Sequence, residues 1–292
     1  MKSVQVRVRS LQHRVLVWEP KGDEAQGDIV LLHGYMDAAA TFDRVAIHLT
    51  QAGYRCLALD MRGYGEGARI PDGTYYHFPD YVLDLHGILA ALELTSASIL
   101  VGHSMGGTIA TLFAGAFPER VSALALLEGV GPPDHPPESV PDRMRHWIDG
   151  VNDLRGKKVR TFSKEEALSR LALSHPSVDL SVLETRVHHL VSTQPDGSVA
   201  WAYDPLHRTV SPTPFYARTL IAFARKVTSP VLFVGGGEQG FHPPDEGERL
   251  LAFPNLERID LAGAGHMMHW TQPEALAQAL IKWLTRVLER SS

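Results

Sequence analysis

The chain has 292 residues, of which 44% are hydrophobic and 21% are charged, and its formal net charge is -5. This composition fits one large globular domain, or a core domain that carries an insertion, and the negative charge gives no reason to expect a nucleic-acid partner. No apolar run is long enough to span a bilayer, the N-terminus lacks the apolar stretch of a secretory signal, and the single cysteine, Cys56, cannot form an internal disulfide, so we expect a cytoplasmic protein.

The first half of the chain alternates short apolar runs with amphipathic stretches, which predicts a mostly parallel sheet with crossover helices. Two segments of alternating polarity open it as an antiparallel pair of edge strands, and four further apolar runs follow. The predicted strands are Val4–Arg9, Arg14–Glu19, Ile29–Leu32, Tyr54–Leu59, Ile99–Val101 and Val121–Leu127. The predicted helices between them are Ala40–Gln51, Tyr81–Leu94 and Thr108–Phe117.

The pattern changes after Gly131, where proline-rich loops and polar amphipathic segments replace the apolar runs. This part predicts helices and no buried strand. The predicted helices are Ser139–Leu154, Lys164–Leu173 and Leu180–Val191. Strand-like runs return at Val231–Val234 and Leu256–Leu261, before a terminal helix, Pro273–Leu288. We therefore expect an α/β core, residues 1–130 and 227–292, interrupted by a helical insertion, residues 131–226.

A candidate nucleophile lies between the fifth predicted strand and the helix that follows it. The segment from Gly102 to Gly106 reads Gly-His-Ser-Met-Gly and matches G-x-S-x-G, the nucleophile elbow, with Ser104 at its centre. Small residues are needed around the serine because the turn is sharp and would otherwise collide with the neighbouring strand or helix. Because the bare pattern occurs by chance in unrelated chains, the strand before it and the helix after it carry the prediction.

Several motifs in this order resemble the α/β-hydrolase superfamily. They are His33-Gly34 after the third strand, Asp60-x-Arg62-Gly63-x-Gly65 after the fourth, the elbow after the fifth and Gly265-His266 after the last. The resemblance covers most of the chain apart from the insertion and implies the α/β-hydrolase fold. The stretches Leu127–Pro133 and Trp201–Pro205 also look like the serine-hydrolase-like subgroup.

The resemblance implies the other parts of a serine-hydrolase site. The backbone N–H groups of Tyr35 and Met105 would form the oxyanion hole. Among the 15 histidines, His266 lies where superfamily members place the catalytic base, and His269 is its nearest competitor. We expect His33 and His103 to be structural or lining residues. Nothing resembles a zinc site, and no cofactor is implied.

The acid that should orient the base is the point at which this sequence departs from the superfamily pattern. Aligning Gly237-Glu238 with the usual Gly-Glu-x-Asp places Gly240 where the aspartate should be. Glu238 lies two residues early, and Asp245 and its neighbour Glu246 look like the exposed start of a helix. Glu128 closes the sixth strand at the sheet edge where catalytic groups collect, and a buried carboxyl needs a partner. We favour Glu128.

These residues predict a serine hydrolase that cleaves a carboxylic ester, or a related acyl bond, of a small or medium apolar substrate. The insertion would cover the nucleophile as a cap. Its aromatic residues are candidates for contacts with the acyl or alcohol group of the substrate: Trp147, Phe162, Trp201, Tyr203, Phe215 and Tyr216. A carbon–carbon bond hydrolase, a lactonase, a thioesterase or a receptor without turnover remains open on the same fold. The sequence leaves the oligomeric state and the physiological substrate open.

Overall fold

A twisted sheet forms the centre of the computed structural model, which describes residues 1–22, 25–94 and 97–289. Ten strands are present among these residues. They are β1 (Lys2–Val8), β2 (Leu11–Trp18), β3 (Asp28–Leu32), β4 (Arg55–Leu59), β5 (Ser98–His103), β6 (Val121–Leu127), β7 (Val191–Thr193), β8 (Val199–Trp201), β9 (Val231–Gly235) and β10 (Leu256–Asp260). Eight of them form one sheet in the order β1-β2-β4-β3-β5-β6-β9-β10, and β7 pairs with β8.

Helices follow most of the parallel strands, as crossover connections require. The described α-helices are α1 (Asp43–Gln51), α2 (Phe78–Ala91), α3 (Met105–Ala116), α4 (Val140–Leu154), α5 (Lys164–Ser174), α6 (Leu180–Leu190), α7 (Ala217–Ala224), α8 (Glu246–Leu251), α9 (Met268–Thr271) and α10 (Pro273–Glu289). Within the eight-stranded sheet, as far as the structure describes it, the pairings of β1 with β2 and of β2 with β4 are antiparallel and the others are parallel. The predicted mostly parallel sheet is therefore confirmed.

Apolar side chains cover both faces of the sheet, which is why its strands read as continuous apolar runs. On β3, Val30 and Leu32 face a core layer shared with α2, α3 and α7. Ile29 and Leu31 face the opposite layer, shared with α1 and α10. The alternation follows from the two-residue period of a strand.

The strand register brings the ends of three neighbouring strands to one edge of the sheet. His103 at the end of β5 lies opposite Leu127 at the end of β6, and Leu127 lies opposite Val234 on β9. The residues that follow these strands, Ser104 and Glu128 among them, therefore emerge side by side. This edge is where open α/β sheets bind ligands.

The inserted segment, residues 131–226, contains more than helices. The prediction that it holds no buried strand is wrong for β8, in which Val199 and Ala200 are buried; β8 pairs with β7, and strands of three residues are too short to show a period. Helix α7 packs closely on α3. A Cβ on Gly115 of α3 would lie 2.5 Å from the Phe223 carbonyl oxygen of α7, so glycine is required at this contact. The predicted extents 1–130, 131–226 and 227–292 stay predictions, and residues 23, 24, 95, 96 and 290–292 lie outside the described residues.

Two structural facts bear on the expected location. In the part of the chain that the structure describes, no helix combines the length and apolarity that crossing a membrane requires. Cys56 is buried and unpaired, and burial raises the pKa of its thiol to about 12. The cytoplasmic location stays a prediction.

Candidate active site

Ser104 occupies a strained turn between β5 and α3. Its backbone has φ 49° and ψ -114°, a conformation that non-glycine residues rarely adopt. A Cβ on Gly102 would lie 2.5 Å from the Gly106 backbone, and one on Gly106 would collide with the Leu32 carbonyl oxygen. Glycine at both positions therefore lets the elbow close. The turn places Ser104 at the N-terminus of α3, where the helix dipole favours developing negative charge.

The loop after β3 passes directly beside this turn. A Cβ on Gly34 would lie 2.6 Å from His103 Nδ1 and 3.3 Å from Ser104 Cβ, so only glycine allows this approach. Tyr35 follows immediately. Among the described residues, neither the Tyr35 N–H nor the Met105 N–H donates to a protein acceptor. Both predicted oxyanion donors are thus left available for a ligand, which is what the hypothesis requires.

His266 lies in the turn after β10, just before α9. Its Nδ1–H donates to Glu128 Oε2 at 2.7 Å, and its side chain is 31% exposed. In the neutral ring, this bond fixes the tautomer in which Nε2 carries the lone pair. The structure therefore brings together His266 and Glu128, which are 138 residues apart in the chain.

Glu128 is held by more than the histidine. The side chain is fully buried, and the backbone has φ 47°. Oε1 accepts the Gly236 N–H at 2.5 Å and Oε2 accepts the Phe241 N–H at 2.6 Å. Burial alone would raise the pKa of this carboxyl, but the hydrogen bonds from His266, Phe241 and Gly236 outweigh burial and lower it. The carboxylate is thus ionised beside the imidazole.

The missing aspartate of the superfamily pattern has a structural counterpart. A Cβ on Gly240 would overlap Glu128 Oε1, and one on Gly236 would lie 2.9 Å from the same atom. The Glu128 carboxylate therefore fills the space into which a side chain at position 240 would project. The other predicted acids have different surroundings. Glu238 is exposed, and Asp245 pairs with Arg249 at 2.8 Å.

A second histidine–carboxylate pair lies under the site. His269 Nε2 donates to Asp37 Oδ2 at 2.9 Å, and both side chains are almost completely buried. Sequence reasoning did not single out Asp37. Asp37, His103 and His269 each offer one ligand atom, and these atoms lie within 4.8 Å of one another, so this group has the composition of a metal-ligand set.

The inserted segment is attached to the loops of the site. The Tyr35 hydroxyl donates to the His207 carbonyl oxygen, and the Asp204 N–H donates to the Gly63 carbonyl oxygen at 2.7 Å. An apolar cluster joins the inserted segment to the oxyanion and histidine loops. Its fully buried members are Ala38, Leu171, Leu183, Leu190, Met267 and Trp270. The insertion thus lies against both loops that flank Ser104.

The predicted aromatic contact residues of the insertion differ in their surroundings. Phe162 is buried against Trp201 within the insertion, with ring centroids 5.4 Å apart. Trp147 packs edge-on against Tyr75 of the core, and Phe215 packs against the core layer that contains α3. Tyr203 stacks on Trp201. For Phe162, Trp147 and Phe215, the observed contacts are therefore packing contacts, and a role in binding substrate stays a prediction.

The sheet order, the strand–serine–helix turn and the histidine loop define the class of α/β hydrolases. The model of the family described as "alpha/beta hydrolase fold" matches residues 29–273. The chain therefore belongs to the α/β-hydrolase-fold family, as the sequence motifs predicted.

The chain is similar to curated proteins named as serine hydrolase-like proteins and as lipases. It is 33% identical to a serine hydrolase-like protein of Danio rerio over 167 residues, which are 55% of this chain and 49% of that protein. The chain thus spans about half the length of that relative. It is 31% identical to a monoacylglycerol lipase of Mycolicibacterium smegmatis over 245 residues, 80% of this chain and 77% of that protein.

Among solved structures, the chain resembles a hypothetical protein of Pseudomonas aeruginosa PAO1. The TM-score is 0.85 at 27% identity, with 98% of this chain and 100% of the other covered. The likeness includes the insertion as well as the core, since nearly the whole of both chains is matched.

Proposed function

We propose that this protein is a serine hydrolase that cleaves a carboxylic ester of a small or medium apolar substrate through an acyl-enzyme. The observation that carries the proposal is the 2.7 Å hydrogen bond between His266 and Glu128, beside the strained turn of Ser104. A base oriented by a buried carboxylate, next to a serine at a helix N-terminus, is the constellation that activates a hydroxyl nucleophile. Membership of the α/β-hydrolase family supports it.

Acylation follows from these positions. His266 Nε2 takes the Ser104 proton as Oγ attacks the ester carbonyl carbon, and the N–H groups of Tyr35 and Met105 bind the oxygen that becomes negative. Glu128 stabilises the imidazolium and stays ionised. The tetrahedral intermediate collapses when the carbon–oxygen bond to the alcohol breaks, and His266 gives its proton to the departing alkoxide.

Deacylation uses the same groups in a second cycle. Water attacks the acyl-enzyme carbonyl while His266 removes one of its protons, and the same two N–H groups bind the second oxyanion. Collapse releases the carboxylic acid and returns the proton to Ser104 Oγ. The step needs no metal or organic cofactor.

The substrate class rests on the insertion and on one relative. We propose that the inserted segment is a cap, because it packs on the oxyanion and histidine loops on either side of Ser104. A site covered by a cap favours an apolar acyl or alcohol group over a polymer. The 31% identity to a monoacylglycerol lipase makes a fatty-acyl ester of a small alcohol the first substrate to test.

The test is hydrolysis of p-nitrophenyl esters from acetate to dodecanoate by the wild type and Ser104→Ala. We expect turnover that falls in the variant by a factor on the order of 10⁶, the loss measured for removal of such a nucleophile. The chain length with the highest kcat/KM then gives the size of the acyl pocket.

Equal inactivity of the wild type and Ser104→Ala across the series would exclude simple esterase activity. Thioesters, lactones and a carbon–carbon bond substrate would then be assayed with the same pair of proteins. Binding of a small acyl ligand with no turnover in any of these assays would favour the receptor hypothesis.

A further inference from the structure

Three buried polar residues lie under the proposed site, and the mechanism uses none of them. Asp37, His103 and His269 are 3%, 1% and 0% exposed. Each is a sequence neighbour of a proposed catalytic group: Asp37 is two residues after Tyr35, His103 is directly before Ser104, and His269 is three residues after His266. The cluster therefore lies where the oxyanion loop, the elbow and the histidine loop meet.

Asp37 joins the first and third of these segments. Its Oδ1 accepts the Ala38 N–H at 2.9 Å and the Thr41 hydroxyl at 2.8 Å, both within the oxyanion loop or just after it. Its Oδ2 accepts the His269 Nε2–H at 2.9 Å. The His269 ring also stacks on Phe42, with centroids 4.8 Å apart. The oxyanion loop and the histidine loop are thus linked by one buried bond.

His103 joins the elbow to the same histidine loop. Its Nε2–H donates to the His266 carbonyl oxygen at 2.9 Å. Its ring centroid lies 4.7 Å from that of His266 and 4.4 Å from that of His269. The residue before the nucleophile therefore fixes the backbone of the proposed base.

The charges in the cluster fit a static network. Burial lowers the pKa of His103 and of His269, so both rings are neutral. Burial alone would raise the pKa of Asp37, but the hydrogen bond from His269 outweighs burial and lowers it. Asp37 cannot replace Glu128 as the acid, because its histidine is His269 and not His266.

We propose that Asp37, His103 and His269 are positioning residues that hold the oxyanion donors, the nucleophile and the base in register. The inference rests on the proposed function for its effect on rate, but not for its geometry. A displacement of about 1 Å in such groups costs on the order of 100-fold in rate. Loss of the network should therefore lower kcat and leave KM unchanged, because acylation and deacylation use the same groups and should slow by the same factor.

The experiment compares variants that break a bond with variants that keep it. Asp37→Ala and His103→Leu remove the partner, whereas Asp37→Asn and His103→Gln keep a polar atom in nearly the same place. We expect kcat to fall by about 10- to 100-fold in the first pair and to recover in the second. Affinity for an alkyl trifluoromethyl ketone, which mimics the tetrahedral intermediate, should fall by the same factor as kcat/KM.

A matched control lies at the opposite end of the sheet. Asp28 at the start of β3 binds Arg55 at the start of β4 through two bonds of 2.5 and 2.8 Å. Asp28→Asn should lower the Tm and leave kcat unchanged. The proposal is overturned if breaking and keeping variants lose activity equally, or if kcat falls only in proportion to the loss of Tm. His103→Leu provides this test if Asp37→Ala does not fold.

Two further measurements separate this inference from the proposed function. In the wild type, low-field proton signals are expected for His266 Nδ1–H and His269 Nε2–H, and His103→Leu should shift the His266 signal, whether or not the protein hydrolyses esters. An unshifted His266 signal would contradict the network. One equivalent of zinc retained after dialysis, and lost in Asp37→Asn, would show a metal site and overturn it as well.

Discussion

Two histidines that lie three residues apart, His266 in the turn after β10 and His269 in α9, are each paired with a carboxylate, and the two pairs are built in opposite ways. His266 bonds Glu128 through Nδ1, whereas His269 bonds Asp37 through Nε2. The side chain of His266 is 31% exposed, and that of His269 is fully buried. The two bonds are 2.7 and 2.9 Å long, so distance alone does not distinguish the pairs.

The difference shows what makes such a pair chemically useful. Engaging Nδ1 leaves the lone pair of His266 Nε2 free on a ring that is partly exposed, so that the proposed base can receive the serine proton. His269 keeps only Nδ1, which is buried without a protein partner among the described residues. A histidine–carboxylate pair therefore indicates a base only when the free nitrogen can reach solvent or substrate.

The largest expected effect separates the two histidines by activity. His266→Gln removes the proposed base, and we expect kcat/KM for a p-nitrophenyl ester to fall by a factor on the order of 10⁶. His269→Gln keeps an amide N–H that can donate to Asp37, so most of the activity should remain. Equal losses in the two variants, measured on folded protein, would show that His269 has a chemical role.

Replacing the two carboxylates should likewise lower kcat more at Glu128 than at Asp37. Glu128→Gln replaces the acceptor of the His266 proton with an amide that favours the wrong tautomer, and kcat should fall by about 10⁴-fold. Asp37→Asn should retain most of its activity, because its histidine takes no part in proton transfer. Glu238→Gln is the control, because Glu238 is an exposed carboxyl in the turn after β9. A loss in Glu238→Gln as large as in Glu128→Gln would move the acid to position 238.

The acid also shows which parts of the site could be predicted from the sequence. Ser104 and His266 were predicted from their places after strands, and Glu128 was favoured because it ends a buried strand. The fit of its carboxylate into the space beside Gly240 could not be predicted, because it depends on the positions of two separate loops. The glycine was visible in the sequence as a missing aspartate, but its meaning required the structure.

Other contacts of the site could not be predicted from the sequence, for physical reasons. The bond between Asp37 and His269 joins residues 232 positions apart and leaves no local periodicity. The backbone N–H groups of Gly236 and Phe241 that bind Glu128 carry no side-chain signal. The mostly parallel sheet, by contrast, follows from apolar strands that alternate with helices, and that part of the fold was predicted.

Removing the histidine should lower the free energy of unfolding more in the His269–Asp37 pair than in the His266–Glu128 pair, which is the reverse of the expected effect on activity. His269→Leu leaves Asp37 Oδ2 buried with no donor, because the other two donors bind Oδ1, and we expect the free energy of unfolding to fall by about 3 kcal/mol. In His266→Leu, Glu128 Oε2 keeps the Phe241 N–H, so the expected loss is about 1 kcal/mol. Urea unfolding at pH 7 measures both values. A larger loss for His266→Leu would contradict the assignment of the buried pair to structure.

A third histidine shows what burial does without a hydrogen-bonded carboxylate. His207 lies between the rings of Tyr64 and Tyr76, with both centroids 4.0 Å away, and burial lowers its pKa to about 4. The unfolded chain has the ordinary pKa of about 6.5, so between these values only the unfolded state binds the proton. Stability therefore falls as the pH decreases from about 6.5 to about 4, by about 3 kcal/mol for this residue.

His207→Phe keeps an aromatic ring and cannot titrate, so the difference in unfolding free energy between pH 7 and pH 4 should be smaller by that amount. An unchanged difference would mean that another buried group, such as His13, causes the acid sensitivity.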